Sequence, residues 1–180
     1  MSITTDVVIC GSGSAGICAA VWLAKAGVSF RLLERRDGPL EVGQADGVQC
    51  RTVEVFESFD IVEPLLKESY HVLELTFWAS DGQTGRLQRT GRAPDTPRGL
   101  SHLPHVILNQ ARVHAIMLDE ITRLNPQQTI DYGFTVQGVN MIQDETSKQG
   151  FPVQVVAKSG GRQHVFRAKY AIVSAQTHAP

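Results

Sequence analysis

The chain has 180 residues, 17 basic against 18 acidic side chains and a net charge of −1, with 42% hydrophobic and 19% charged residues. These are globular proportions with enough apolar content to bury a core, which excludes a disordered or collagen-like chain. The balanced charge argues against a nucleic-acid or polybasic membrane surface, no apolar run approaches the ~18–20 residues that span a bilayer, and the N-terminus lacks the basic region of a secretory signal, so a cytoplasmic location is expected.

In chain order, Asp6-Val7-Val8-Ile9-Cys10 is a short apolar run without alternation, which predicts a parallel strand covered on both faces. It leads into Gly11-Ser12-Gly13-Ser14-Ala15-Gly16. An Ala-rich helix is predicted from Ser14 to Ala26, with Ile17, Val21 and Leu23 on its apolar side and Gly27 as its stop. Val28 to Glu34 predicts a second strand that ends in an acid. Each position in this β-α-β unit has a physical task. Gly11 allows the tight turn, Gly13 lets the backbone approach a pyrophosphate, and Gly16 lets the helix pack closely on the sheet. The helix start, with Ser14 and Ala15 in its first turn, offers N–H groups and partial positive charge to phosphates. Glu34 lies 18 residues after Gly16, where a carboxylate can accept hydrogen bonds from ribose hydroxyls. The pattern points to dinucleotide binding and leaves FAD and NAD open. Arg35 and Arg36 suit either the 2′-phosphate of NADP or a solvated turn before Asp37-Gly38-Pro39.

A polar, Gly-punctuated loop follows, Glu41-Val42-Gly43-Gln44-Ala45-Asp46-Gly47-Val48-Gln49-Cys50-Arg51. It feeds a helix expected over Thr52 to Phe59, with Val53, Phe56 and Ile61 facing a core. Together with Glu34-Arg35, this stretch resembles FAD-dependent aromatic hydroxylases, in particular the phenol 2-monooxygenase branch of the para-hydroxybenzoate hydroxylase group. The resemblance implies that Gln44, Asp46 and Gly47 lie near the isoalloxazine and ribitol, and that Arg51 reaches a phosphate or the ribitol. Glu34 and Arg35 join that cofactor-binding set, and Asp46 is the catalytic candidate, tied to handling of the substrate hydroxyl.

His71 to Gln88 reads as β-structure: Leu73, Leu75 and Phe77 alternate with Glu74, Thr76 and Trp78, and Asp81-Gly82 is a turn signal. By resemblance these strands belong to an antiparallel sheet over the substrate pocket. Thr90 to Pro104 is expected to be a loop, with Arg86, Arg89, Arg92 and Arg98 forming a solvated face. An amphipathic helix is expected after Leu108, with Asn109 as N-cap and apolar positions at Val113, Ile116, Met117, Ile121 and Leu124. The resemblance makes Gln110 a flavin contact and Arg112 a weaker candidate. Trp22 is expected to pack rather than to stack on a ligand.

The last third predicts a small β-meander, Val153–Ala157 and Val165–Val173 around a turn at Ser159-Gly160-Gly161. The family's next motif is of the type Gly-Cys-Asp-Gly-Ala-His-Ser, whereas Ala175-Gln176 stands where Asp-Gly is expected. The resemblance therefore implies a chain truncated relative to its family, with unspliced or frame-shifted sequence as one origin for residues after about Val173. The three cysteines, Cys10, Cys18 and Cys50, form no Cys-x-x-Cys pair and the six histidines no metal-binding spacing, so free thiols and no metal site are expected.

The fold class expected is α/β: a Rossmann-like (GR2-type) FAD-binding βαβ unit with an inserted antiparallel β portion. Residues 1–70 and 100–180 are assigned mainly to the FAD-binding domain, and 71–99 to the start of substrate-domain β-structure. The function implied is a FAD-dependent monooxygenase that hydroxylates a phenolic compound, in secondary metabolism or aromatic degradation. NADPH or NADH is the implied reductant and O₂ the oxidant. Two alternatives stand beside it. One is a non-catalytic remnant with residual FAD or adenosine binding, or with a partner chain covering its exposed sheet edges. The other is a small NAD(P)-binding reductase, which leaves Gln44–Gly47 and Gln110 without a role.

Overall fold

The computed structural model describes residues 3–128, 130–144 and 148–174. Its elements in chain order are β1 (Ile3–Cys10), α1 (Ser14–Lys25), β2 (Phe30–Glu34), β3 (Gly47–Val48), α2 (Cys50–Ser58), α3 (Val62–Glu68), β4 (Tyr70–Val72), β5 (Glu74–Ser80), β6 (Leu87–Pro94), β7 (His105–Ile107), α4 (Gln110–Leu124), β8 (Ile130–Tyr132), β9 (Thr135–Met141), β10 (Val153–Ser159) and β11 (Arg162–Val173). They form two compact units, Met1–Glu41 with His114–Pro180, and Val42–Val113.

The first unit is built on a sheet of strand order β8-β2-β1-β11-β10-β9. Its β8, β2, β1 and β11 run parallel, while β10 and β9 are antiparallel. Val7 to Cys10 are all buried, as the unbroken apolar run predicts. Val8 and Cys10 join Leu33, Val153, Val155, Phe166 and Ala168 in one core cluster. Strand alternation sends Val7 and Ile9 to the other face, the side on which α1 buries Ile17, Ala20 and Val21. Gly27, at φ 67°, ends α1 where the sequence predicts. Trp22 is half-buried, since it falls beside the stripe made by residues 17, 20 and 21.

The expected meander is present, and β11 does more than close it. Residues 162–168 pair with β10, while Phe166 to Val173 pair with β1, so one long strand joins the antiparallel and parallel halves. Strand β8 has only three residues and little apolar signal; Arg31 of β2 grips its Asp131 through two hydrogen bonds, the Nε one at 2.7 Å.

The second unit holds the three strands β3-β7-β4 and the β5–β6 hairpin, with α2, α3 and the first turn of α4. Among the described residues, Val53, Phe56, Phe59, Ile61, Leu65, Val106 and Val113 are its buried apolar residues. The Asp81 carboxylate builds the predicted turn by accepting from the backbone N–H groups of Gln83 (3.1 Å) and Thr84 (2.7 Å). The loop expected from Thr90 is corrected, since β6 continues to Pro94 opposite Glu74. A two-stranded ribbon pairs only one side of each strand, so Pro94 is tolerated at its end.

Candidate functional site

The glycine-rich loop leaves β1 at Gly11, whose φ of 100° suits glycine and whose N–H donates to Leu33 O at 2.8 Å. A Cβ on Gly16 would lie 2.0 Å from Gly11 O and 2.6 Å from Ser174 Oγ, so that position has no room for a side chain. Ser174 Oγ in turn donates to Gly11 O (2.8 Å) and Cys10 O (3.1 Å), tying the end of β11 to the loop. At Gly13, by contrast, no described residue lies within 4 Å of where a Cβ would stand. Gly13 is the N-cap of α1, no side chain caps it, and the first turn carries no acid. The N–H groups of Ser14 and Ala15 belong to the set that no intrahelical carbonyl can reach. A positive helix end with no acid in its first turn, beside a bare backbone, suits a pyrophosphate.

Glu34 ends β2 beside this loop and is 6% exposed. Its Oε2 accepts from the Ser12 N–H and the Ser12 hydroxyl, both at 2.8 Å, and from Arg36 Nη2 at 3.2 Å. Its Oε1 accepts from the Arg36 N–H at 2.9 Å and pairs with Arg36 Nε at 3.1 Å. Burial alone would raise the Glu34 pKa, but the bonds from Arg36 and Ser12 outweigh it and bring the carboxyl down to about 2. The group is therefore a fixed anion whose acceptor sites are already filled. Arg36 is turned inward, its Nη2 also on Ser12 Oγ (2.8 Å) and Ser12 O (3.2 Å), while Arg35 is exposed and makes no ion pair among the described residues.

In the second unit, Gln110 clamps the Gln44–Gly47 loop: its Oε1 accepts from the Gln44 N–H at 2.8 Å. Gly43 packs so closely there that a Cβ would lie 2.5 Å from Gln110 Cβ. Asp46 O accepts from the Leu108 N–H at 2.9 Å, Gly47 pairs with Ile107, and the Asp46 side chain is exposed. Arg51 pairs with Glu54 on α2 and is 81% exposed. Arg112 forms a two-pronged bridge to Glu68, at 2.6 and 2.7 Å. The structure thus gathers Gly11, Gly13, Ser14, Ala15, Gly16 and Glu34 in one unit, and Gln44, Asp46, Gly47 and Gln110 in the other.

Sequence reasoning missed Ser12, Ser174 and His114 around the glycine loop, and it read Arg36 as a 2′-phosphate contact or a solvated turn where the structure turns it onto Glu34 and Ser12. Ser12 and Arg36 are variable positions of the motif, and His114 is hidden within the apolar spacing of α4. It also missed Asp95 and His105, whose carboxylate and Nδ1 lie 3.0 Å apart beneath Gly47. Cys10, Cys18 and Cys50 are free thiols, and burial pushes Cys10 up to about 11, which removes it as a nucleophile at neutral pH. Among the described residues no three His, Cys, Asp or Glu side chains converge on a metal position. Among them too, no helix is long and apolar enough to cross a membrane.

The strand, glycine turn, open helix end and buried acid define a Rossmann-type dinucleotide-binding unit. The chain belongs to the FAD binding domain family, whose model matches residues 4–175. The cofactor of that family is FAD, and the open Gly13 backbone and the Glu34 anion fit its pyrophosphate and ribose. Over 99% of its length the chain is 47% identical to the FAD-dependent monooxygenase terD of Aspergillus terreus, covering 30% of that protein. Over 67% of its length it is 46% identical to 3-hydroxybenzoate 4-monooxygenase of Comamonas testosteroni, covering 20% of it. The fold matches p-nitrophenol 4-monooxygenase PnpA from Pseudomonas putida with a TM-score of 0.80 at 19% identity, over 99% of this chain and 42% of that one. It matches the flavin-dependent monooxygenase PieE with a TM-score of 0.76 at 21% identity, over 94% and 30%. The chain spans about a third or less of the length of the curated relatives it matches. The departure at Ala175-Gln176 lies outside the described residues.

Proposed function

We propose that this chain supplies the FAD-binding portion of a flavin-dependent monooxygenase that hydroxylates a phenolic compound, with NADPH or NADH as reductant and O₂ as oxidant. When bound, FAD supplies the redox chemistry of such a reaction. The observation that carries the reading is the open N-terminus of α1 over Gly13, set beside the buried Glu34 anion. The first-turn N–H groups of α1, including those of Ser14 and Ala15, hold the pyrophosphate, and Glu34 accepts from the ribose once Arg36 moves aside. Gln110 fixes the Gln44–Gly47 loop by its bond to the Gln44 N–H, and that loop carries Asp46 exposed, where it accepts the proton of a substrate hydroxyl. Arg51 meets a phosphate or the ribitol once released from Glu54. The names of the relatives support this reading, since one acts on a hydroxybenzoate.

The test is the absorption spectrum of the purified chain, followed by NADPH oxidation with and without phenols. Bands near ~370 and ~450 nm that co-purify with the chain, and oxidation stimulated by a phenol, are the expected results. A second reading, adenosine or FAD binding without catalysis in company with a partner chain, is favoured by the uncovered β5–β6 hairpin. It predicts the flavin bands without phenol-stimulated oxidation.

A further inference from the structure

The glycine turn after β1 consists of two successive peptide units, each held from both sides. In the first, the Gly11 N–H donates to Leu33 O of β2 at 2.8 Å, and Cys10 O accepts from the Ser174 N–H at 3.0 Å. In the second, the Ser12 N–H donates to Glu34 Oε2 at 2.8 Å, and Gly11 O accepts from Ser174 Oγ at 2.8 Å. The N–H ends thus bond to β2, and the carbonyl ends to the residue that follows β11. A hydroxyl carries one hydrogen. Cys10 O lies farther from Ser174 Oγ, at 3.1 Å, and already accepts from the Ser174 N–H, so the hydroxyl hydrogen goes to Gly11 O.

The second peptide unit is the one that needs fastening. Gly11, at φ 100°, lacks the Cβ that would restrict rotation about its own bonds. Its carbonyl packs against the first turn of α1, since a Cβ on Gly16 would collide with both Gly11 O and Ser174 Oγ. Rotation of the Gly11–Ser12 peptide would swing that carbonyl away from β11 and pull the Ser12 N–H off Glu34. Carbonyl oxygens repel a phosphate where N–H groups attract it. We propose that Ser174 is a positioning residue for the FAD pyrophosphate: its hydroxyl pins the Gly11 carbonyl to the end of β11 and so fixes the peptide unit that leads into the N-terminus of α1. The proposal rests on the reading of this unit as the FAD site. It extends that site to a side chain 163 residues from Gly11, acting through the Gly11 carbonyl.

The experiment uses the full chain and measures affinity for FAD, ADP and adenosine, together with amide hydrogen exchange at Ser12. Ser174→Ala is expected to weaken FAD and ADP by about fivefold with adenosine unchanged, because only the first two carry a pyrophosphate. The Ser12 amide is expected to exchange faster in the same variant. Ser174→Thr, which keeps the hydroxyl, is expected to bind as the wild type does. Ser174→Cys, with a weaker donor, is expected to fall between the wild type and S174A. Ser29→Ala is the control for stability: it removes a hydroxyl that bonds Asp6 just before β2, at the end remote from Glu34. It is expected to lower the melting temperature without altering the ratio of ADP to adenosine affinity. Wild-type ADP affinity in S174A, unchanged exchange at Ser12, adenosine affinity lost in parallel, or ADP affinity not retained in S174T overturns the proposal. Should S174A not fold, wild-type ADP affinity in S174C overturns it in the same way. A wild-type chain that binds neither FAD nor ADP overturns the FAD reading and the proposal together.

Discussion

At the scale of single residues, Glu34 is where the physics is sharpest. Its folded pKa of about 2 lies below the ordinary value of 4.5. The sign follows: this carboxylate contributes stability that is fully present above pH ~4.5 and is lost as pH falls toward ~2, amounting to about 3 kcal/mol. Urea unfolding at pH 6 and pH 3 is expected to show a larger loss for the wild type than for Glu34→Gln, which has no proton to take up; equal losses would refute the assignment. Gly16→Ala forces a methyl against the Gly11 carbonyl, a backbone atom that cannot swing away. It is expected to cost at least ~1–3 kcal/mol and to abolish flavin retention, measurable as a lower melting temperature and a colourless preparation. Gly16 was legible from spacing alone because backbone approach has one solution. The role of Arg36 was not, since the same sequence suits a 2′-phosphate contact, a solvated turn, or the fold back onto Ser12 and Glu34 that the structure shows.

At the scale of elements, β11 carries the largest share of the first unit. Phe166 is fully buried and lies where the strand's pairings with β10 and β1 overlap, with Phe134 against it at 5.9 Å between ring centroids. Phe166→Ala is expected to cost ~3–5 kcal/mol and lower the melting temperature by ~6 °C or more, whereas Trp22→Ala should shift it by no more than ~2 °C. A thermal melt of both variants separates a core aromatic from one lying beside its helix's buried stripe. The helix and strand periods of α1, β1, β2 and β10 were readable because long-range burial and local pattern agree there. The three-residue β8 and the two-residue β3 were not, because so short a segment becomes a strand only through its neighbours.

At the scale of the whole molecule, the β5–β6 hairpin exposes Leu75, Phe77, Trp78 and Leu87, with every residue of β5 open to solvent. Apolar residues on an uncovered ribbon with free edges favour association. Concentration-dependent light scattering is expected for the wild type and a marked reduction for the double substitution Phe77→Ser and Trp78→Ser. Unchanged scattering would place the association elsewhere.

The β-α-β unit, the glycine turn, the acid after β2 and the family resemblance are all legible in the linear chain. Each of these depends on residues close in the chain, or on a backbone constraint that few residue types satisfy. The folded chain alone reveals that Arg36 occupies the Glu34 carboxylate, that Gln110 clamps the Gln44 loop, that Ser174 ties β11 to Gly11, and that His114 meets Ser14 from 100 residues away. Those contacts join segments far apart in sequence through side chains with several available rotamers, so packing selects one arrangement where local pattern leaves many.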